Sequence, residues 1–196
     1  TIQKKYPFAF DYFQKHKAIL NNPKRDIKPE PATKNEWHRF GRQQGLNILG
    51  KKEKIILGVL SSGDKYAIDN YGTLFTSGGT AGYCAITLPD NFDYSTYYIQ
   101  AILNSKYVEW FVILTGEIFR GSYFARGTKV LNNLPIRKID FTNAKDKALH
   151  DKIVELQKEL IKIQDEIDVN IENKRALTPL QSQFSREKIA LEKLLA

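Results

Sequence analysis

Three kinds of residue in this chain have types and spacings that could do chemistry. They are a glycine-rich loop, two stretches where arginine alternates with aromatics, and a scatter of acids and histidines. The loop is "LFTSGGTAGYCAITL", Leu74 to Leu88, with Gly78, Gly79 and Gly82 beside Thr76 and Ser77. A phosphate-cradling loop follows its glycines with Lys and Ser/Thr at the mouth of a helix. Here no lysine follows, and the chain runs into strand-like "CAITL". A dinucleotide site needs Gly-x-Gly-x-x-Gly between a strand and a helix, and these glycines do not fit it. Two readings stay open: a tight turn using glycine at positive φ, or bare backbone approaching a large partner such as DNA.

No catalytic set assembles from the other groups. His16, His38 and His150 lie in separate segments without metal-ligand spacing. Ser61-Ser62-Gly63 lacks a nucleophile elbow. Asp64, Asp69, Asp90 and Asp93 have no Glu-x-Lys at a nuclease-like distance. The single cysteine, Cys84, allows neither an internal disulfide nor a cysteine zinc site. The expectation is therefore a segment with no catalytic residue and no metal.

The arginine-rich stretches are more informative. "WHRFGRQQGL" sets Arg39, Arg42, Gln43 and Gln44 beside Trp37 and Phe40. "FRGSYFARGTK" sets Arg120, Ser122, Arg126 and Lys129 beside Phe119, Tyr123 and Phe124. Arg reads guanine and Gln reads adenine by paired hydrogen bonds, while Lys and Ser hold phosphates. Each position alone is more often a solvated charge or a structural hydrogen bond. The charge tips the balance. Net charge is +8; residues 1–144 hold 20 basic and 12 acidic residues, and residues 145–196 hold 10 of each. The whole excess lies on the first part, which points to a polyanion partner for it.

The elements that must position these residues follow from periodicity. "YPFAFDYFQKHKAILNN" (Tyr6–Asn22) reads as an aromatic amphipathic helix, and the proline-rich "NNPKRDIKPEPATK" as a linker. "KIILGVL" is short and β-branched, a buried strand. "KYAIDNYGTLFTS" reads as a hairpin about Asp69–Gly72, and "YCAITL" as another strand. "STYYIQAILNSKYVEWFVILTG" is helical, with a break and new cap at Asn104-Ser105. "NLPIRKIDF" reads as a short strand. Leu149, Ile153, Leu156, Leu160, Ile163 and Ile167 form a heptad seam. Thr178, Pro179 and Gln181 then read as the capped start of a second tail helix.

These elements sum to an α+β fold. A small mixed sheet with packed helices occupies 1–144, and an antiparallel helical hairpin or coiled coil occupies 145–196. No stretch approaches the roughly 20 apolar residues of a membrane helix. The chain contains no methionine, which points to a piece of a larger protein.

The order of motifs resembles a known family. "YPFAFDYF", "GRQQGL", "KIILGVLSS", "YAIDNYGTLFTSGG", "YYIQAILNSKYVEWFV", "FRGSYFARGTKVLNNLPIRKI" and "LHDKIVELQKEL" follow one another. This series is similar to the TaqI-like C-terminal specificity domain, the target-recognition region of adenine-specific DNA methyltransferases and of fused restriction–modification enzymes. It runs over roughly residues 6–165. The resemblance implies a module that reads a short DNA sequence and presents an adenine for base flipping. The family's Asn/Asp-Pro-Pro-Tyr signature and cofactor loop are absent from the chain. Hence S-adenosylmethionine and magnesium are expected in other domains of the parent enzyme, and no cofactor in this segment.

Shared positions such as Gly41, Arg42, Asn104, Ser105, Leu134 and Pro135 are expected to build the scaffold or touch phosphates. Candidates for DNA contact are Arg39, Arg42, Gln43, Gln44, Lys65, Thr76, Ser77, Arg120, Ser122, Tyr123, Arg126 and Lys129. The expected partners are duplex DNA, a methyltransferase domain of the same parent chain and, through the tail, a second copy. No membrane partner is expected, and the expected location is the cytoplasm. Two alternatives stand beside this reading: half of a type I restriction specificity subunit, and a protein-interaction module acting through the heptad tail.

Overall fold

The computed structural model describes residues 2–21, 37–38, 50, 53–63, 66–75 and 82–196, with Arg120 described by its backbone alone. Two compact units divide the chain, residues 1–48 and 49–196.

In the first unit a short helix α1 (Ile2–Lys5) precedes the expected long helix, which is divided into α2 (Pro7–Lys15) and α3 (Lys17–Leu20). Pro7 opens α2 at a position where its missing N–H costs nothing. The backbone of His16 leaves helical geometry and divides α2 from α3. Phe13 stacks on His38, and the Lys17 ammonium lies over the buried Trp37 ring at 5.3 Å.

The second unit is α+β. Its strands, among the described residues, form two antiparallel sheets rather than a single mixed one. Strands β1 (Lys54–Gly58), β3 (Tyr66–Asp69) and β4 (Tyr83–Ile86) run in the order β3-β1-β4. Strands β2 (Leu60–Ser61), β5 (Ile118–Arg120) and β6 (Tyr123–Ala125) run in the order β2-β6-β5. The stretch "KIILGVL" serves both sheets. Ile55 and Leu57 are fully buried in β1. Val59 then donates to the Gly82 carbonyl of the first sheet and accepts from the Arg126 amide beside the second.

Among the described residues, no strand follows Gly72 to complete the hairpin expected about Asp69–Gly72. β3 pairs instead with β1, in the register Ile55 to Ile68. The Asp69 carboxylate explains why. It accepts from the Tyr71 and Thr73 amides, from the Thr73 hydroxyl and from the buried Lys54 ammonium. Local side-chain bonds of this kind compete with strand pairing. Gly72 sits at φ +70°, and a Cβ there would stand 2.7 Å from the Gly50 carbonyl oxygen.

Helices α4 (Thr96–Leu103) and α5 (Lys106–Thr115) are divided where the sequence places the break. Ser95 and Ser105 cap them, accepting from the Tyr97 and Val108 amides. Asn104, at the break, also reaches the first sheet. Its side-chain amide bonds both the N–H and the C=O of Tyr66 on the edge strand β3. An edge strand is thus closed by a side chain in place of another strand.

Residues 134–140 are not the expected strand. They are held by tyrosine hydroxyls: Tyr94 accepts from the Ile139 amide, and Tyr98 donates to the Arg137 carbonyl. Helix α6 (Thr128–Leu131) precedes them.

The tail is a helical hairpin, α7 (Ala144–Val169) and α8 (Lys174–Leu195). Asn173 caps α8, so the helix starts before the expected Thr178, whose hydroxyl donates back to the Lys174 carbonyl. Pro179 lies inside the helix. The heptad seam is used within the chain: Ile153, Leu160 and Ile163 are buried, and α7 packs on both α4 and α8. The tail and the sheet share one core. Buried Gln100 ties them, donating to the Tyr66 carbonyl at 2.9 Å and accepting from Gln157 at 3.0 Å. No helix among the described residues is long and apolar enough to cross a membrane.

These bonds can be tested by substitution. Gln157→Leu leaves the Gln100 carbonyl oxygen buried without a donor and lowers stability by about 1–3 kcal/mol in urea unfolding. A second expectation concerns Asp69, whose carboxyl is held down, chiefly by Lys54 and then by Thr73 and Tyr71, from 3.8 to about 2. Its contribution is complete above the unfolded value and is lost as pH falls through the folded one. The stability gap between wild type and Asp69→Asn therefore stays level above about pH 5 and narrows between about pH 4 and pH 2.

Candidate nucleic-acid interface

The ribbon β5–β6 carries the second arginine–aromatic stretch. Its two-residue loop is Gly121-Ser122, and Gly121 sits at φ +62°. Glycine first in a two-residue loop gives a turn whose twist matches that of the flanking strands. A register shift between Ile118 and Arg120 bends β5 against β6. The ribbon exposes Ile118, Phe119 and Tyr123, the last at 52 %. Ser122 is exposed at the tip and meets Ser62 from the β2 side, oxygen to oxygen, at 3.4 Å.

Arg126 differs from the sequence expectation of an exposed basic residue. It is 1 % exposed, one of the largest fully buried side chains. Its guanidinium pairs with Glu109 of α5 and lies 5.8 Å from the Tyr66 ring centroid. The reason is topological. β6 ends against α5, and Glu109, half-buried in the first turn of that helix, needs a cation. Lys129 is 82 % exposed and pairs with Glu117, whose carboxyl it holds below the usual range. Both partners sit in water, so Lys129 can exchange that carboxylate for another anion at little cost.

Residues far apart in sequence meet behind the ribbon. Ser61, Ser62, Tyr66, Tyr83 and Tyr123 line one cleft. Ser61 and Ser62 draw attention in the sequence only as a failed nucleophile motif, and no spacing there links Tyr83 to Tyr123. Burial pushes the Tyr66 hydroxyl up, and the neighbouring Arg126 holds it back. Among the described residues no group of three His, Cys, Asp or Glu could hold a metal ion. His150 is structural: its Nε2 faces the Ser95 amide and its Nδ1 meets Asp151.

Of the sequence candidates, the structure brings Ser122 and Tyr123 together at the exposed ribbon, with the backbone of Arg120. It puts Lys129 in solvent and Arg126 in the core. Arg39, Arg42, Gln43, Gln44, Lys65, Thr76 and Ser77 lie outside the described residues.

A family model for the TaqI-like C-terminal specificity domain matches residues 4–136. The chain belongs to that family. It is also 45 % identical, over 194 residues, to the type II restriction enzyme and methyltransferase RM.Eco57I of Escherichia coli. That match covers 99 % of this chain and 19 % of the relative, so the chain spans about a fifth of the relative's length. The specificity-domain match ends before the α7–α8 hairpin, whereas the likeness to the E. coli protein includes it.

The buried pair gives a third prediction. Arg126→Ala leaves Glu109 without its cation. Removing one partner of a buried pair costs about 3–5 kcal/mol, and here about 2–4, because water still reaches part of Glu109. Thermal unfolding of the variant reads this loss directly.

Proposed function

We propose that this chain is the duplex-DNA recognition module of a restriction–modification enzyme whose catalytic part methylates adenine at N6. Membership of a specificity-domain family supports the reading, and so does the exposed ribbon on the part of the chain that carries all the excess positive charge. The single observation that carries it is the ribbon itself. The DNA major groove, about 12 Å wide, admits a two-stranded ribbon. Ser122 and Tyr123 at the tip can reach phosphate or base edges, and Lys129, out in solvent, can meet a phosphate.

In this reading the segment supplies sequence choice and other domains supply chemistry. The methyltransferase portion of a longer polypeptide would hold S-adenosylmethionine and receive the flipped adenine, and a nuclease portion would use magnesium. The E. coli relative is named as both restriction enzyme and methyltransferase, which fits a division of this kind. It also favours this reading over half of a type I specificity subunit. A cytoplasmic location, where the DNA is, belongs to the same proposal. The seam of the tail is occupied inside the chain, so a role in joining a second copy has less support than DNA reading.

The test is fluorescence anisotropy of the chain with labelled duplexes at several salt concentrations. Affinity falls steeply with salt if lysines and arginines displace condensed counterions. Lys129→Ala weakens binding uniformly across sequences and lowers the salt slope by about one. A folded chain that binds no duplex even at low salt overturns the reading.

A further inference from the structure

The outer face of α5 runs against the usual pattern of a surface helix. Val108 and Val112 point into the core and are buried. Tyr107, Trp110, Ile113 and Leu114 form a second stripe on the other side, and all four are exposed, Trp110 and Leu114 at 63 % each. A surface helix normally turns charges to the solvent, and a helix that is apolar on both sides is normally covered on both. Single exposed apolar residues need no explanation, whereas a contiguous patch marks an interaction site. The stripe has apolar neighbours at both ends of the helix. Ile118, which opens β5, is exposed as well. At the other end Tyr107 joins Phe184 and Ile189 of α8 in lining a groove of about 570 Å³.

The surroundings say what kind of cover fits. The one carboxylate of α5, Glu109, is held on the inner side by Arg126. The stripe therefore offers a partner hydrocarbon and aromatic rings, with no charge along it. A sugar–phosphate backbone gains nothing from such a surface. The centre of a protein interface does, being poor in charge and rich in Trp and Tyr. Lys106 and Lys193 line the groove beside Tyr107. The matching surface is thus a folded protein with an apolar centre and carboxylates at the edge that meets these lysines.

We infer that the outer face of α5 is the seat of the catalytic portion of the parent polypeptide. The inference rests on the part of the reading above that joins this module to such a portion, and it needs no DNA contact of its own. The match leaves about four-fifths of the E. coli relative uncovered, and a body of that size needs a face to rest on. α5 is placed to make use of the contact. Its inner side grips Arg126 at the base of the ribbon through Glu109, and Trp110 is the next residue along. A body seated on the outer face lies one helix diameter, about 10 Å, from that pair. Docking on α5 therefore keeps the reading ribbon and the reacting centre in one fixed relation.

Hydroxyl-radical footprinting of the isolated chain and of the intact polypeptide tests this, with buried Trp37 as internal standard. Trp110 and Leu114 oxidise readily in the isolated chain and, in the intact polypeptide, Trp110 oxidises no faster than Trp37. Tyr123 at the ribbon stays reactive in both until a duplex is added. A photoreactive side chain at Ile113 (Ile113→p-benzoylphenylalanine) crosslinks to a peptide of the catalytic portion within the same polypeptide. Trp110→Gln combined with Leu114→Gln restores oxidation of Tyr107 in the intact polypeptide, while the isolated chain melts as before. Three results overturn the inference. A Trp110 that stays reactive in the intact polypeptide would mean that the face is bare. Protection that grows with the concentration of the isolated chain, or a crosslink between two polypeptides, would assign the face to a second copy. Protection that appears only with duplex would assign it to DNA. Failure of every duplex to protect Tyr123, with Trp110 still protected, would strike the DNA reading and leave the docking in place.

Discussion

One buried amide holds the second unit together. Gln100 is 4 % exposed and joins the edge of the first sheet, through the Tyr66 carbonyl, to the tail, through Gln157. A buried polar side chain is tolerated only with its bonds made, so α4 has little freedom to slide or rotate between its neighbours. Everything that orients the ribbon hangs from that fixed helix. Asn104, one residue past the end of α4, closes β3, and Ser105 starts α5 in the direction that brings Glu109 to Arg126. Glu192 of the tail completes the arrangement by accepting from the Lys106 amide at the start of α5, where a carboxylate also meets the positive end of the helix.

The two sheets meet at Val59. One residue gives its amide to the first sheet and its carbonyl to the strand side of the second. The β5–β6 ribbon is therefore attached to the core by continuous backbone hydrogen bonding, not by side-chain packing alone. The Arg126–Glu109 pair lies directly behind that junction. It fixes the base of the ribbon, while the tip meets the rest of the fold at the Ser62–Ser122 contact.

Much of this was legible in the sequence where the signal is local. A serine after asparagine in a helical run marks a cap, and β-branched density marks β1. The six heptad positions mark α7. The α+β class and the tail hairpin follow from such signals. What was not legible depends on partners far along the chain. The arginine stretch gives no hint that Arg126 turns inward, because Glu109 lies 17 residues earlier and meets it only once α5 packs on β6. The expected hairpin at Asp69 and the expected strand at 134–140 failed for a related reason. Side chains, Asp69 in one case and two tyrosines in the other, satisfied backbone groups that the pattern assigned to strands. The expected cap at Thr178 lost to Asn173, which capped the helix five residues earlier, before Pro179. The cleft residues Ser61, Tyr66, Tyr83 and Tyr123 carry no spacing rule at all. The sheets alone bring them together.

The shared core of tail and sheet bears on how a new specificity could be built. A graft that ended near residue 144 would strip Ile153, Gln157 and Leu160 from the face of α4 and leave Tyr98 and Gln100 open to water. The first sheet and the tail through α8 therefore belong to one folding unit. Within it, Ser122 at the ribbon tip is exposed and meets the Ser62 hydroxyl. A change at Ser122 costs the contact with Ser62, whereas a change at Gln100 or Gln157 breaks the bond between sheet and tail.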